Sequence, residues 1–162
     1  MKGGKRFLAL MMRMFLLGTF LIVYLSEDES DMNGVEYFAN QSTPKPPNLT
    51  IRLNEEKLTP ILGTYSWSEE KESGSTSVEA EAEVPPVLTS DQEPFQVTAD
   101  TSIVLDFEKQ PETYSVRVWS QDSTIAGESK EVKLPEQGEI IYEIVGKWNE
   151  GTATYVFKLV AD

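Results

Sequence analysis

The sequence predicts an all-β fold, an immunoglobulin- or fibronectin-like β-sandwich of about seven to nine strands. Three observations lead there. After Pro47 the apolar residues recur at every second position, in runs short enough for strands. Clusters of Gly, Pro, Asn, Asp and Ser separate those runs at spacings usual for sandwiches. No stretch after Leu25 carries the three-to-four-residue apolar spacing of an amphipathic helix. One transmembrane helix and a disordered linker are expected to precede the sandwich.

The first element is residues 1–25. Lys2, Lys5 and Arg6 open it, and from Phe7 to Leu25 the chain is apolar except for Arg13 and Thr19. Such a run is long enough to span a bilayer as a helix. Arg13 lies toward its basic end, where a long stem can carry the charge back to the interface. Bases before the run and Glu27, Asp28, Glu29 and Asp31 after it predict a cytoplasmic N-terminus and an extracellular C-terminal domain. The segment reads as a signal anchor giving a single-pass cell-membrane protein, because Tyr24 and Leu25 are poor residues for a signal-peptidase site. Cleavage of a signal peptide, which would make the protein secreted, stays open as the alternative.

Residues 26–47 form the second element, an acidic linker that turns Asn/Gln/Ser/Thr-rich and ends in Pro44-Lys45-Pro46-Pro47. Low hydrophobicity predicts disorder, and the prolines predict an extended exit. Asn40-Gln41-Ser42 and Asn48-Leu49-Thr50 match glycosylation sequons, a short pattern that chance also supplies.

The third element is the domain at 48–162. Leu49, Ile51 and Leu53 alternate with polar residues, as do Ile61, Gly63, Tyr65 and Trp67. Val78, Ala80, Ala82 and Val84 alternate with Glu79, Glu81 and Glu83. Ile103, Leu105 and Phe107 follow, then Tyr114, Val116 and Val118, and a shorter strand at Val132 and Leu134. Ile140, Tyr142 and Ile144 lead to Trp148. A turn at Asn149-Glu150-Gly151 then joins the last strand, carrying Ala153, Tyr155, Phe157 and Leu159. The predicted breaks include Pro85-Pro86, Asp91–Pro94, Gln121–Gly127 and Pro135–Gly138.

Composition excludes much chemistry. The chain has no Cys and no His. Disulfides, cysteine-based zinc sites, Cys–His pairs and Ser–His–Asp triads are therefore impossible. Residues 1–25 hold four bases and no acid. The rest holds all 27 acids and ten bases. A body that acidic is repelled by phosphate backbones, so nucleic acid is not an expected partner.

The candidate sites are few. Glu79, Glu81 and Glu83 share one strand face, but alternate residues stand about 7 Å apart and cannot converge on one cation. They read as a solvated face that also guards a strand edge. Tyr65, Trp67, Trp148, Tyr155 and Phe157 read as core. Trp119 differs, because Tyr114, Val116 and Val118 take the inward face of its strand and leave Trp119 outside with Ser115 and Arg117. Arg117 and Trp119 are the candidate surface-binding pair, with stacking of the guanidinium on the indole as the expected arrangement. Asp106, in an apolar strand, reads as an outward position. No catalytic residue, metal ligand or cofactor-binding residue is assigned, and no cofactor is expected. The expectation is a non-enzymatic, membrane-tethered interaction module. Its partners would be the membrane, through residues 1–25, and a protein, peptide or cell-envelope component. A spacer or accessory subunit of an envelope complex is the alternative, and a carboxylate-based hydrolase a distant third.

Gly63-Thr64-Tyr65-Ser66-Trp67, Pro85-Pro86-Val87-Leu88, Ile103–Phe107 with Pro111 after it, Val116-Arg117-Val118-Trp119 and the closing Trp148-x-x-Gly151-x-Ala153-x-Tyr155-x-Phe157 together carry a resemblance. Over about residues 48–162 the chain resembles a group of small exported proteins of Bacillus-like Gram-positive bacteria. Those are membrane-tethered or lipid-anchored and carry an extracytoplasmic β-domain of unknown function. The resemblance implies fold and location, and it transfers no catalytic residue. The chain departs from lipid-anchored members in lacking the cysteine, which leaves the apolar segment as its anchor.

Overall fold

A computed structural model describes residues 43–72 and 74–162. The expected anchor at 1–25 and the linker up to residue 42 lie outside the described residues. Among the described residues, no helix is long and apolar enough to cross a membrane. Thr43–Asp162 forms one compact unit. Pro44 and Pro46, assigned from the sequence to the linker, are buried. The Tyr155 hydroxyl donates to the Pro47 carbonyl. Proline rings lose no rotamer freedom on burial, so they pack on a domain at little entropic cost.

The described residues form ten strands and one short helix: β1 (Leu49–Leu53), β2 (Glu56–Leu58), β3 (Ile61–Lys71), β4 (Gly74–Ala80), α1 (Pro85–Leu88), β5 (Phe95–Gln96), β6 (Ile103–Phe107), β7 (Thr113–Trp119), β8 (Ile125–Ser129), β9 (Gly138–Trp148) and β10 (Gly151–Ala161). They form two sheets in a sandwich-like arrangement. The smaller has the order β2-β1-β6. The larger has the order β4-β3-β10-β9-β7-β8, with β5 added in parallel to β10 beyond the end of β3. All other pairings are antiparallel.

The core lies between the sheets. Leu49, Ile51, Leu53 and Phe107 from the small sheet meet Trp67, Val116, Tyr142, Ile144, Trp148, Ala153, Tyr155, Phe157 and Leu159 from the large one. These are the alternating positions of the sequence, since successive side chains on a strand face opposite ways. On the outer face of the small sheet, Asp106 pairs with Arg52, whose Nε lies 2.9 Å from Oδ2.

The central hairpin β9–β10 departs from simple alternation. Ile141, Glu143 and Val145 on β9 and Val156 and Lys158 on β10 point away from the main core, yet they too are buried. Part of the cover is the segment after β4. Its strand pairing stops at Ala80, short of the alternating pattern that runs on to Val84. The chain then turns into α1, against β3, β9 and β10. Pro85 and Pro86 begin this helix, where their missing N–H groups are no loss. Thr89, fully buried, closes it by donating from Oγ1 to the Pro85 carbonyl at 2.9 Å.

Other differences from the sequence reading have local causes. Val132 and Leu134 pack against the core from an irregular segment and not from a strand. β8 begins at Ile125, inside the stretch read as a break, because Ser120–Thr124 closes a tight turn earlier than expected. In that turn the Asp122 carboxylate accepts from Thr124 Oγ1 at 2.6 Å, and the Ser120 and Thr124 hydroxyls hold its pKa below the ordinary carboxylate value. β2 and β5, of three and two residues, are strands that the alternation did not mark, and with them the count reaches ten. Glu79, Glu81 and Glu83 are all exposed, and Glu79 lies on β4, an edge strand.

Gly151 fixes how β10 enters the large sheet. Its φ is +157°, and a Cβ there would lie 1.9 Å from the Ser66 carbonyl oxygen. That obstacle is backbone and cannot rotate away. Gly151→Ala should lower unfolding stability by about 2–3 kcal/mol. Urea denaturation checks this, and an unchanged midpoint would show that β3 and β10 can separate freely at this point.

Candidate functional site

The site grows from one row across the outer face of the large sheet. Glu128 on β8 is paired with Arg117 on β7, Arg117 with Glu143 on β9, and Glu143 with Val156 on β10. Directly opposed residues on neighbouring strands hold their Cβ atoms about 5 Å apart. The register therefore sets an acid, a base, an acid and an apolar side chain in line.

Trp119 stands one outward position along β7. Its indole Nε1–H donates to Glu143 Oε2 at 3.0 Å. Arg117 reaches the same oxygen, with Nη1 3.5 Å away, and its Nε donates to Glu128 Oε2 at 3.3 Å. The guanidinium is thus engaged by two carboxylates, which differs from the stacking on Trp119 expected from the sequence. Carboxylates offer it charge and directed acceptors together, which an indole face does not. Arg117 and Trp119 do share one outward face, and Glu143 joins them.

Glu143 went unrecognised in the sequence. It is 7 % exposed, the most buried acid among the described residues. A buried carboxylate needs charge-assisted partners, and Oε2 has two. Oε1 has no hydrogen-bond partner among the described residues. No sealed-off side-chain polar atom there lacks a partner. Oε1 therefore keeps some access to solvent, and Glu143 lines a cleft on this face. The signal was available: Glu143 interrupts Ile140-Ile141-Tyr142-Glu143-Ile144-Val145, and such near-continuous apolar runs belong to strands covered on both faces.

That cleft has a volume of about 140 Å³. Pro85, Leu88 and Val84 of the α1 segment line one side, Trp119 and Glu143 another, and Val156 and Thr154 contribute from β10. Glu83 also lines it. Nearby on the same sheet face, Lys158 Nζ lies 3.5 Å from Glu139 Oε2, so that base is already engaged. The cleft combines apolar side chains with two threonines and the carboxylates of Glu83 and Glu143, and it has the size of one side chain.

Two larger hollows lie elsewhere. One of about 810 Å³ involves Asn54, Thr98, Leu134 and Asp162. Another of about 450 Å³ lies along β6, between Val104, Tyr114 and Val132. Neither contains a buried charged side chain. Among the described residues, no three His, Cys, Asp or Glu side chains converge as a metal-binding group. No family model, no curated protein and no solved structure matches this chain.

Proposed function

We propose that this chain is a non-enzymatic interaction module held outside the cell membrane by residues 1–25, with an immunoglobulin-like domain that carries the binding face. The observation that supports it best is the cleft beside Trp119. Along the middle of the β9–β10 hairpin the outer face is buried, and there a cleft lies beside a buried carboxylate and an indole. Binding sites combine an apolar body with a few fixed polar groups in this way. The acidic body supports the location: it suits a domain held off an anionic lipid surface. The basic front and acidic exit of the N-terminal segment support the orientation. The lack of His and Cys supports a role without catalysis.

Affinity capture with the full chain from detergent-solubilised envelopes tests this reading. At least one protein or envelope component should be retained by the natural chain and reduced more than tenfold by Trp119→Ala. Retention of nothing, or equal retention by both, would set the module aside in favour of a spacer. The first residue of the recovered chain, Met1 or one near Ser26, separates the anchored form from the secreted one.

A further inference from the structure

We infer that the Trp119 cleft receives a cationic side chain, lysine or arginine, presented by a protein or peptide partner. The inference rests on the interaction-module reading and names the chemistry of that site.

Three features carry it. The first is the open oxygen of Glu143. A carboxylate accepts and cannot donate, so Oε1 calls for an N–H or O–H donor, and a cationic donor gains most where water is scarce. Oε2 is already filled by Trp119 and Arg117, so a ligand need not displace either.

The second is the local charge. Glu83, Glu128, Glu139 and Glu143 lie on or beside this face, against Arg117 and Lys158. Each base is held by acids already there, which leaves a net negative face. The strongly acidic body around it would draw a basic partner toward the domain.

The third is shape. A lysine or arginine carries an apolar stem behind its charge, and the cleft offers Leu88 and Val84 to that stem. The Trp119 ring adds a wall that attracts cations. A neutral apolar side chain would leave Oε1 without a donor, and an acidic one would be repelled.

The test uses the full chain in detergent micelles with ¹⁵N-labelled tryptophan. The probes are N-acetyl-lysine methylamide and N-acetyl-arginine methylamide, with N-acetyl-norleucine methylamide as the neutral match. The Trp119 indole resonance, identified by its loss in Trp119→Phe, reports occupancy. The cationic probes should shift it saturably, with at least fivefold lower dissociation constants than norleucine. Glu143→Gln should weaken the lysine probe at least tenfold while leaving the melting temperature within a few degrees. Should Glu143→Gln fail to fold, the lysine-to-norleucine ratio on the natural chain still decides. A saturating shift of equal strength from norleucine would overturn the inference, as would no shift from any probe. In the envelope capture, a partner lost by Trp119→Ala yet retained fully by Glu143→Gln would leave the module standing and remove the cationic contact.

Discussion

Replacing Trp148 by alanine should lower the unfolding free energy by about 3–5 kcal/mol, the cost usual for removing a large buried aromatic. The indole is almost fully buried and packs edge-on to Trp67 at 5.4 Å and to Phe107 at 6.1 Å. Phe107 in turn meets Tyr155 at 6.4 Å. Such pairs add about 0.5–1.5 kcal/mol beyond the area they bury. The Trp148 Nε1–H also donates to the Lys109 carbonyl at 2.9 Å, which ties the loop after β6 to the end of β9. Gly146 adds to the effect. A Cβ there would lie 2.4 Å from the indole, so this ring covers the glycine directly and its removal opens a hole the backbone cannot fill. Urea denaturation of Trp148→Ala, beside Val104→Ala as an exposed control, measures the difference. Trp148→Phe should fall between them, since it keeps part of the packing and loses the hydrogen bond. A cost below about 1 kcal/mol for Trp148→Ala would mean that the two sheets are held together elsewhere.

High pH should unfold the domain for a second reason. Burial pushes the phenols of Tyr142 and Tyr155 up to about 12, and for Tyr155 the Glu108 carboxylate adds to the effect. Both hydroxyls donate to backbone carbonyls, Tyr142 to Lys133 and Tyr155 to Pro47. Ionisation removes those donors and sets a phenolate against a carbonyl oxygen. The folded-state pKa lies above the unfolded value of about 10. The stabilisation is therefore complete below pH 10 and is lost as the pH rises through 12. A rise from about 10 to about 12 in both phenols corresponds to about 5 kcal/mol, comparable to the whole stability of a small domain. Urea unfolding at pH 9, 10.5 and 12 should show the midpoint falling steeply over the last interval. Tyr142→Phe and Tyr155→Phe should each remove about half of the slope. A midpoint that falls equally in both Phe variants and the natural chain would assign the alkaline loss to other groups.

The strands that bury one face were legible because their chemistry is local. Leu49-Thr50-Ile51-Arg52-Leu53 and Ile103–Phe107 announce themselves by alternation, and the structure pairs them in register. Asn149-Glu150-Gly151 was read as a turn, and the reason for its glycine, the approach of Ser66, appears only in space. Val132 and Leu134 alternate like a strand, but two inward apolar residues do not specify a hydrogen-bonding partner. The site was half legible for a related reason. Parity along β7 puts Trp119 and Arg117 on the outward face without any knowledge of neighbours. Glu143 becomes their partner through the β7–β9 register, which spans a long separation in sequence. The cleft needs α1 as well, and Pro85-Pro86 reads in the sequence only as an interruption.

The burial of both faces along the middle of β9–β10 has a consequence for how the domain opens. Every residue of β10 is matched to one on β9, and the two strands adjoin in sequence. Their contacts close short loops, at low entropic cost, while the surrounding elements seal them from water. The amides of Ile141–Val145 and Tyr155–Leu159 should exchange with solvent only when the whole domain unfolds. β4, β8 and β2 are each bound along a single edge and open at lower free energy. The Glu143 carboxylate stands on the slowest-exchanging part of the molecule, while β8, which carries Glu128, belongs to the part that opens first.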